Sequence, residues 1–394
     1  MKRKIYTPFP ICLLILCACT DTASLLQATD TDNIPPCPLE LSFVQGADVS
    51  LVSSIPRSAV AGTGTGGNGK IAAIGVYITG TTDHAPYKGT ETGRYTYATT
   101  TTDGSATIAT WVCYAGTHTS GTATPIYVST LSATLNAFHP ADATVTPDTG
   151  DGNHTIPVAA EGIPASQTFD PTNGWNCSAT DYLFGSAAQD AITSVTAVID
   201  MDKLAEKITK TIYMHHALAR VEFQIQNSDG QNEDGYNYVK RIELKVASAS
   251  PATPFLASTA TPFRTSTGSS SSAMSISDGT LSGLENVGTL SFTVTSGATP
   301  IQIGSAATTV GYGLVAPISA PGAAVTLSLT LGKQGDTGND RTLSVTHDAF
   351  KTKWEAGYNY TYKLKLNNHI LFPVGVEIGE RSETVETDHT LDVD

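Results

Sequence analysis

Gly64, Gly69 and Lys70 hold the G-x-x-x-x-G-K spacing of a loop that cradles phosphate on backbone amides. Position 71 is Ile, so the hydroxyl that would hold magnesium is missing. Residues 71–77 (IAAIGVY) read as a buried strand, where a phosphate loop needs the N-terminus of a helix. Residues 62–70 are therefore a Gly-rich connection between strands. His215 and His216 are adjacent, and neighbours in a strand point to opposite faces, so the pair does not converge on one metal. Residues 148–153 (DTGDGN) lack the spaced carboxylates and terminal Glu of a calcium loop and read as a turn. Trp354, in a W-x-x-G-Y stretch, has a ring that can stack on a sugar, but an aromatic entering a strand belongs more readily to a core. No G-x-S-x-G or H-E-x-x-H occurs. These residues predict no enzyme, no cofactor and no metal site.

The elements that would position such groups are short and β-rich. With Gly 35, Pro 20, 40% hydrophobic and 15% charged residues in 394, the chain affords a substantial core and is built for strands joined by turns. Residues 39–52, 71–77, 93–99, 106–114 and 124–138 carry strand patterns. In residues 212–226, Val221, Phe223 and Ile225 alternate with Glu222, Gln224 and Gln226, the cleanest strand of the chain. Residues 239–246, 290–294, 311–317, 324–331, 343–346, 358–366 and 369–378 continue the theme. The one helix signal is at 200–208, where Leu204 and Ile208 lie four apart behind a capping Asp. Residues 251–278 are Ser/Thr/Ala/Pro-rich with little periodicity and read as a surface excursion. The formal net charge of -14 repels a phosphate backbone, so nucleic acid is excluded as a partner.

The start of the chain is a targeting segment. Lys2, Arg3 and Lys4 precede an apolar run too short to span a bilayer, and Leu16, Ala18 and Cys19 end it. This resembles the lipobox of bacterial lipoproteins, which implies removal of residues 1–18 and acylation of Cys19. Residues 20–36 then read as a polar tether. Cys37, Cys113 and Cys177 remain as thiols, with a Cys113–Cys177 disulfide and buried free thiols as equal alternatives.

Taken in order, residues 74–77 (IGVY), 137–142 (AFHPAD), 181–187 (DYLFGSA), 215–225 (HHALARVEFQI) and 351–366 (KTKWEAGYNYTYKLKL) resemble the fimbrillin family of Bacteroidetes, the subunits of type V pili. His139 replaces the aromatic expected before the proline. The resemblance implies an all-β fold of two tandem transthyretin-like β-sandwich domains, at 58–205 and 206–394, behind a removable segment at 19–57. It also implies an outer-membrane lipoprotein whose partners are other fimbrillin subunits. In this family a trypsin-like protease cuts after Arg or Lys and frees the first strand, and a neighbour's extended segment fills the groove by β-augmentation. Five apolar side chains so placed gain on the order of 10 kcal/mol before ordering costs. The matching positions are a cut between Arg57 and Ser58, the first basic site after Cys19, and a donor tail at 380–394. In that tail Val385, Leu391 and Val393 share one parity. A fimbrial anchor, a tip adhesin and a lipid-anchored glycan-binding protein share the same landmarks; an uncut tether marks the anchor and the glycan-binding protein.

Overall fold

β-Branched and aromatic runs closed by Gly, Pro or Asp give strands almost throughout. The computed structural model describes residues 37–45, 73–171, 176–186, 197–199, 208–246, 262–380 and 390–392. Within those ranges 82, 88–91, 103–105, 116–125, 129–132, 229–234, 322, 334–337 and 368–369 are excepted. The first half supplies β1 (Cys37–Gln45), β2 (Ala73–Gly80), β3 (Thr92–Thr102), β4 (Ala106–Ala115), β5 (Ile126–Val128) and β6 (Ala133–His139). It continues with β7 (Thr155–Pro157), β8 (Ser166–Asp170), β9 (Asn176–Cys177), β10 (Leu183–Ser186), β11 (Ala197–Ile199) and β12 (Ile208–His216). The second half supplies β13 (Ala219–Asn227), β14 (Tyr238–Val246), β15 (Phe263–Thr265), β16 (Ala273–Ser275), β17 (Leu281–Ser282), β18 (Glu285–Val287) and β19 (Thr289–Val294). It ends with β20 (Ile301–Gln302), β21 (Thr308–Val315), β22 (Val325–Gly332), β23 (Arg341–His347), β24 (Tyr358–Asn367), β25 (Ile370–Glu380) and β26 (Thr390–Asp392). The sole helical turn among the described residues is a 3-10 turn, Asp348–Lys351, capped by His347, whose Nδ1 accepts from the Ala349 amide at 3.0 Å. The all-β expectation holds.

The first sheet runs β4-β3-β2-β6-β10-β12-β1-β5, with β11 on β6. Its two ends meet, because β4 approaches both β1 and β5, so the sheet curls around one core. That core holds Leu39 and Leu41 with Ile74, Val76, Ile78, Ile126, Leu135, Leu183, Ile212 and Met214. β2 is buried from end to end apart from Gly80, which is why it reads as an unbroken apolar run rather than an alternation.

The second unit of packing is a sandwich. One sheet, β21-β13-β24-β25-β26, faces another, β23-β22-β14-β19-β8-β9, with β20 paired to β14. Alternation puts Val221, Phe223 and Ile225 inward on β13, against Ile242, Leu244, Phe292, Leu327 and Leu329. On the outer side Thr326, Ser328 and Thr330 meet Thr346, Ser344 and Thr342 in hydroxyl rungs of 2.7, 2.9 and 3.2 Å. Strands cross the middle of the chain in both directions, with β12 completing the first sheet and β8 and β9 joining the second. A third cluster, with Tyr77, Phe138, Ile156, Phe184, Leu218, Met274 and Leu314, fills the joint where β12 passes into β13 through Ala217 and Leu218.

Three expectations are corrected. Residues 262–278 are not a surface excursion, since Phe263, Met274 and Ile276 are fully buried and β16 pairs with both β7 and β17. Ile208 opens a strand instead of ending a helix; residues 200–207 lie outside the described residues. Cys113 and Cys177 form no disulfide and lie at the edges of different cores, so the disulfide alternative falls.

Candidate functional site

β1 is held as an inserted strand. It runs parallel to β12, from Leu39 opposite Ile208 to Gln45 opposite Met214. On its other side β5 covers only Cys37, Pro38 and Leu39, antiparallel. Leu39 and Leu41 share one parity and enter the first core at 2% and 5% exposure. β10 pairs with β12 only from Tyr213 to His216. From Ile208 to Ile212, β1 is thus the only strand on β12 among the described residues. Loss of β1 would uncover that edge of β12 from Ile208 to Met214 and two leucine sockets, worth about 1.5–3 kcal/mol each when filled. Such an edge is what a foreign strand adds to.

The other expected sites separate into core, turn and tail. His215 packs against Phe184 at 5.6 Å, whereas the buried His216 sets Nδ1 2.9 Å from the Asp181 carboxylate, so the two rings face different surroundings. His139 instead meets the Asp181 carbonyl oxygen at 2.9 Å. Trp354 is 2% exposed, stacks on Phe263 at 5.5 Å and donates through Nε1 to Tyr362 Oη at 2.8 Å, so it presents no sugar platform. Burial pushes the Tyr362 phenol far up, and that of Tyr360 up to about 12. Gly357, at φ +79, makes the turn that the W-x-x-G-Y pattern needs. Asp148 closes its loop on itself, accepting from the Gly150 amide at 2.8 Å. The tail returns as β26, antiparallel to β25, with Leu391 opposite the buried Val376. Cys19, Arg57, Ser58 and the Gly64, Gly69, Lys70 loop lie outside the described residues. Among the described residues no three His, Cys, Asp or Glu side chains group as metal ligands, and no helix is long and apolar enough to cross a membrane.

Sequence reasoning located the first strand but not its partners. Residues 124–138 read as one run; the fold breaks them into β5, which flanks β1, and β6, which β10 and β12 separate from β1. The separate Ile126-Tyr127-Val128 triplet behind Pro125 is the signal that marks the break.

Beside the joint, His154 is 1% exposed, lies edge-on to Tyr77 at 5.0 Å, and its Nδ1 accepts from the Asp148 amide at 3.0 Å. Burial lowers its pKa; Asp148 pulls it back up and His84 pushes it further down. The unfolded chain therefore takes up the proton first. Stability is whole above about pH 6.5 and falls as pH drops from there towards the depressed folded value, at no more than about 1.4 kcal/mol per pH unit for one proton. His154→Asn, whose carbonyl still accepts from Asp148, is expected to flatten this slope in urea titrations between pH 7 and 5. Identical slopes for both proteins would refute the assignment.

Residues 61–380 match the family described as fimbrillin-like. No curated protein sequence matches the chain. Among solved structures, a candidate cell adhesion protein from Bacteroides ovatus is 15% identical, with a TM-score of 0.49, over 88% of this chain and 98% of its own. Another from Bacteroides uniformis is 14% identical, TM-score 0.43, over 88% and 99%. A fimbrial assembly protein from Parabacteroides distasonis is 10% identical, TM-score 0.38, over 91% and 99%.

Proposed function

Because the chain belongs to the fimbrillin-like family, we propose that it is a surface fimbrial subunit that is exported as a lipoprotein and polymerises by strand exchange. In this reading Cys19 carries the lipid that holds the precursor at the outer membrane. An Arg/Lys-specific protease then cuts between Arg57 and Ser58. The released segment, 19–57, takes β1 with it, and a segment from a neighbouring subunit fills the groove. In this reading the mature subunit has two domains, 58–205 and 206–394, which exchange strands across their boundary, β12 joining the first sheet and β8 and β9 the second.

The observation that carries the proposal is the pairing of β1. Its ladder is separable, since from Ile208 to Met214 no other described strand lies on that edge of β12. Its two buried leucines leave sockets that an aliphatic i, i+2 pair refills. Among its described residues the candidate donor at 380–394 is held to its own domain through Glu380, at the end of β25, and Thr390–Asp392, a small hold to give up.

N-terminal sequencing of surface-purified material tests it. Mature subunits are expected to begin at Ser58. A blocked, acylated Cys19 throughout would overturn the polymerising reading and leave a lipid-anchored surface protein.

A further inference from the structure

β1 contains Leu39-Glu40-Leu41, and Leu391-Asp392-Val393 begins within β26: aliphatic, acidic, aliphatic in both. In β1 the two aliphatic positions are the leucines buried in the first core. In the tail, Thr390, Leu391 and Asp392 are already engaged, antiparallel to β25 and opposite Glu377, Val376 and Gly375. The two positions exclude each other. Leu39 has Ile208 of β12 opposite it on one side and Ile126 of β5 on the other, so a strand seated there has both of its edges taken. A Leu391 in that place has no edge left for β25.

We propose that β26 is an autoinhibitory latch: paired with its own β25, the tail is withheld from the neighbouring subunit, and its release from Gly375, Val376 and Glu377 gates elongation. The inference rests on the strand-exchange reading with 380–394 as donor, and it adds the state in which that donor waits. The lengths set the direction of exchange. β26 is held over three residues, whereas β12 offers an edge of seven, from Ile208 to Met214, with two leucine sockets beneath it. While β1 fills that edge, the tail meets β25 at the high effective concentration of a single chain. There it covers part of a sheet edge that would otherwise invite foreign strands. Once β1 has left a neighbour, the longer pairing prevails. The latch thus keeps precursors apart and yields to a vacated groove.

A disulfide across the latch tests it. Glu377 and Thr390 form a rung, and residues directly opposite in an antiparallel pair are close enough for such a bond. The Glu377→Cys/Thr390→Cys protein is oxidised mildly and residues 1–57 are removed. Peptide mapping distinguishes the 377–390 bond from products of Cys113 and Cys177, and thermal melts check that both redox states are folded. With the bond closed, the SDS-resistant ladder is expected to grow at least tenfold more slowly than after reduction, which restores the rate of the unsubstituted protein. A 377–390 bond that does not form, or equal rates with the bond closed and open, would overturn the latch. The two readings fail differently. A ladder indifferent to the bond sinks the latch and spares strand exchange through another segment, whereas no ladder from unsubstituted processed protein sinks strand exchange and the latch with it.

Discussion

Trp354→Ala is expected to lower the free energy of unfolding by about 3–5 kcal/mol, the range for removing a large buried aromatic. The indole sits in the second core, stacked on Phe263 with an interplanar angle of 16°. Its backbone exchanges hydrogen bonds with Ile318 at 3.0 and 3.1 Å, so the side chain fills a position that the main chain has already fixed. Little can collapse into the hole. Trp354→Phe separates the two parts of the loss: the ring volume is largely kept, but the donor to Tyr362 Oη goes. Leaving that buried phenol short of a partner costs about 1–3 kcal/mol. Guanidinium titrations of the three proteins measure both steps. A Trp354→Ala cost below about 1 kcal/mol would mean that the indole does not close this core.

Deletion of residues 380–394 is expected to leave a folded, secreted monomer that no longer elongates after cleavage at Arg57. The fold should survive because the described part of the tail contributes only the end rung of β25, Glu380 opposite Tyr358, and the β26 rungs opposite Gly375, Val376 and Glu377. At about 1 kcal/mol per hydrogen bond, their loss is small beside the second core, which β25 continues to line with Leu371 and Val376. The readout is the SDS-resistant ladder formed by processed subunits, compared with the melting curve of the truncated protein. Elongation at the full-length rate would show that some other segment is the donor. A truncated chain that melts far below the full-length protein would show that the tail is structural.

Where a strand's burial depends on its own residues, it was legible. The alternation around Phe223 placed β13 because one face meets a core and the other does not, and the apolar run at Ile74 announced a strand covered on both faces. The turn at Gly357 was equally plain. What could not be read was partnership. Nothing in Leu39, Leu41 or Phe43 specifies that β1 lies parallel to a strand some 170 residues later, because ladder bonds are made by backbone atoms that every residue carries. The 262–278 stretch failed for a different reason. Its strands are three residues long, too short for a period, and Met274 and Ile276 are isolated apolar residues among serines whose burial comes from β7, far away in sequence. The groove was therefore half visible: its plug could be read, and its walls could not.

The passage of β12 into β13 through two residues has a mechanical consequence. A pull applied along this path enters the second sandwich at Ala219, on a strand flanked by β21 on one side and β24 on the other. Ladder bonds run across the strand, perpendicular in the antiparallel pairing with β21 and slanted in the parallel pairing with β24, so such a load shears many of them at once and does not peel them singly. The same holds at the other end, where the pull on β12 is resisted by whichever strand occupies the groove beside Ile208. Tensile strength at that point is then a property of the inserted strand's length.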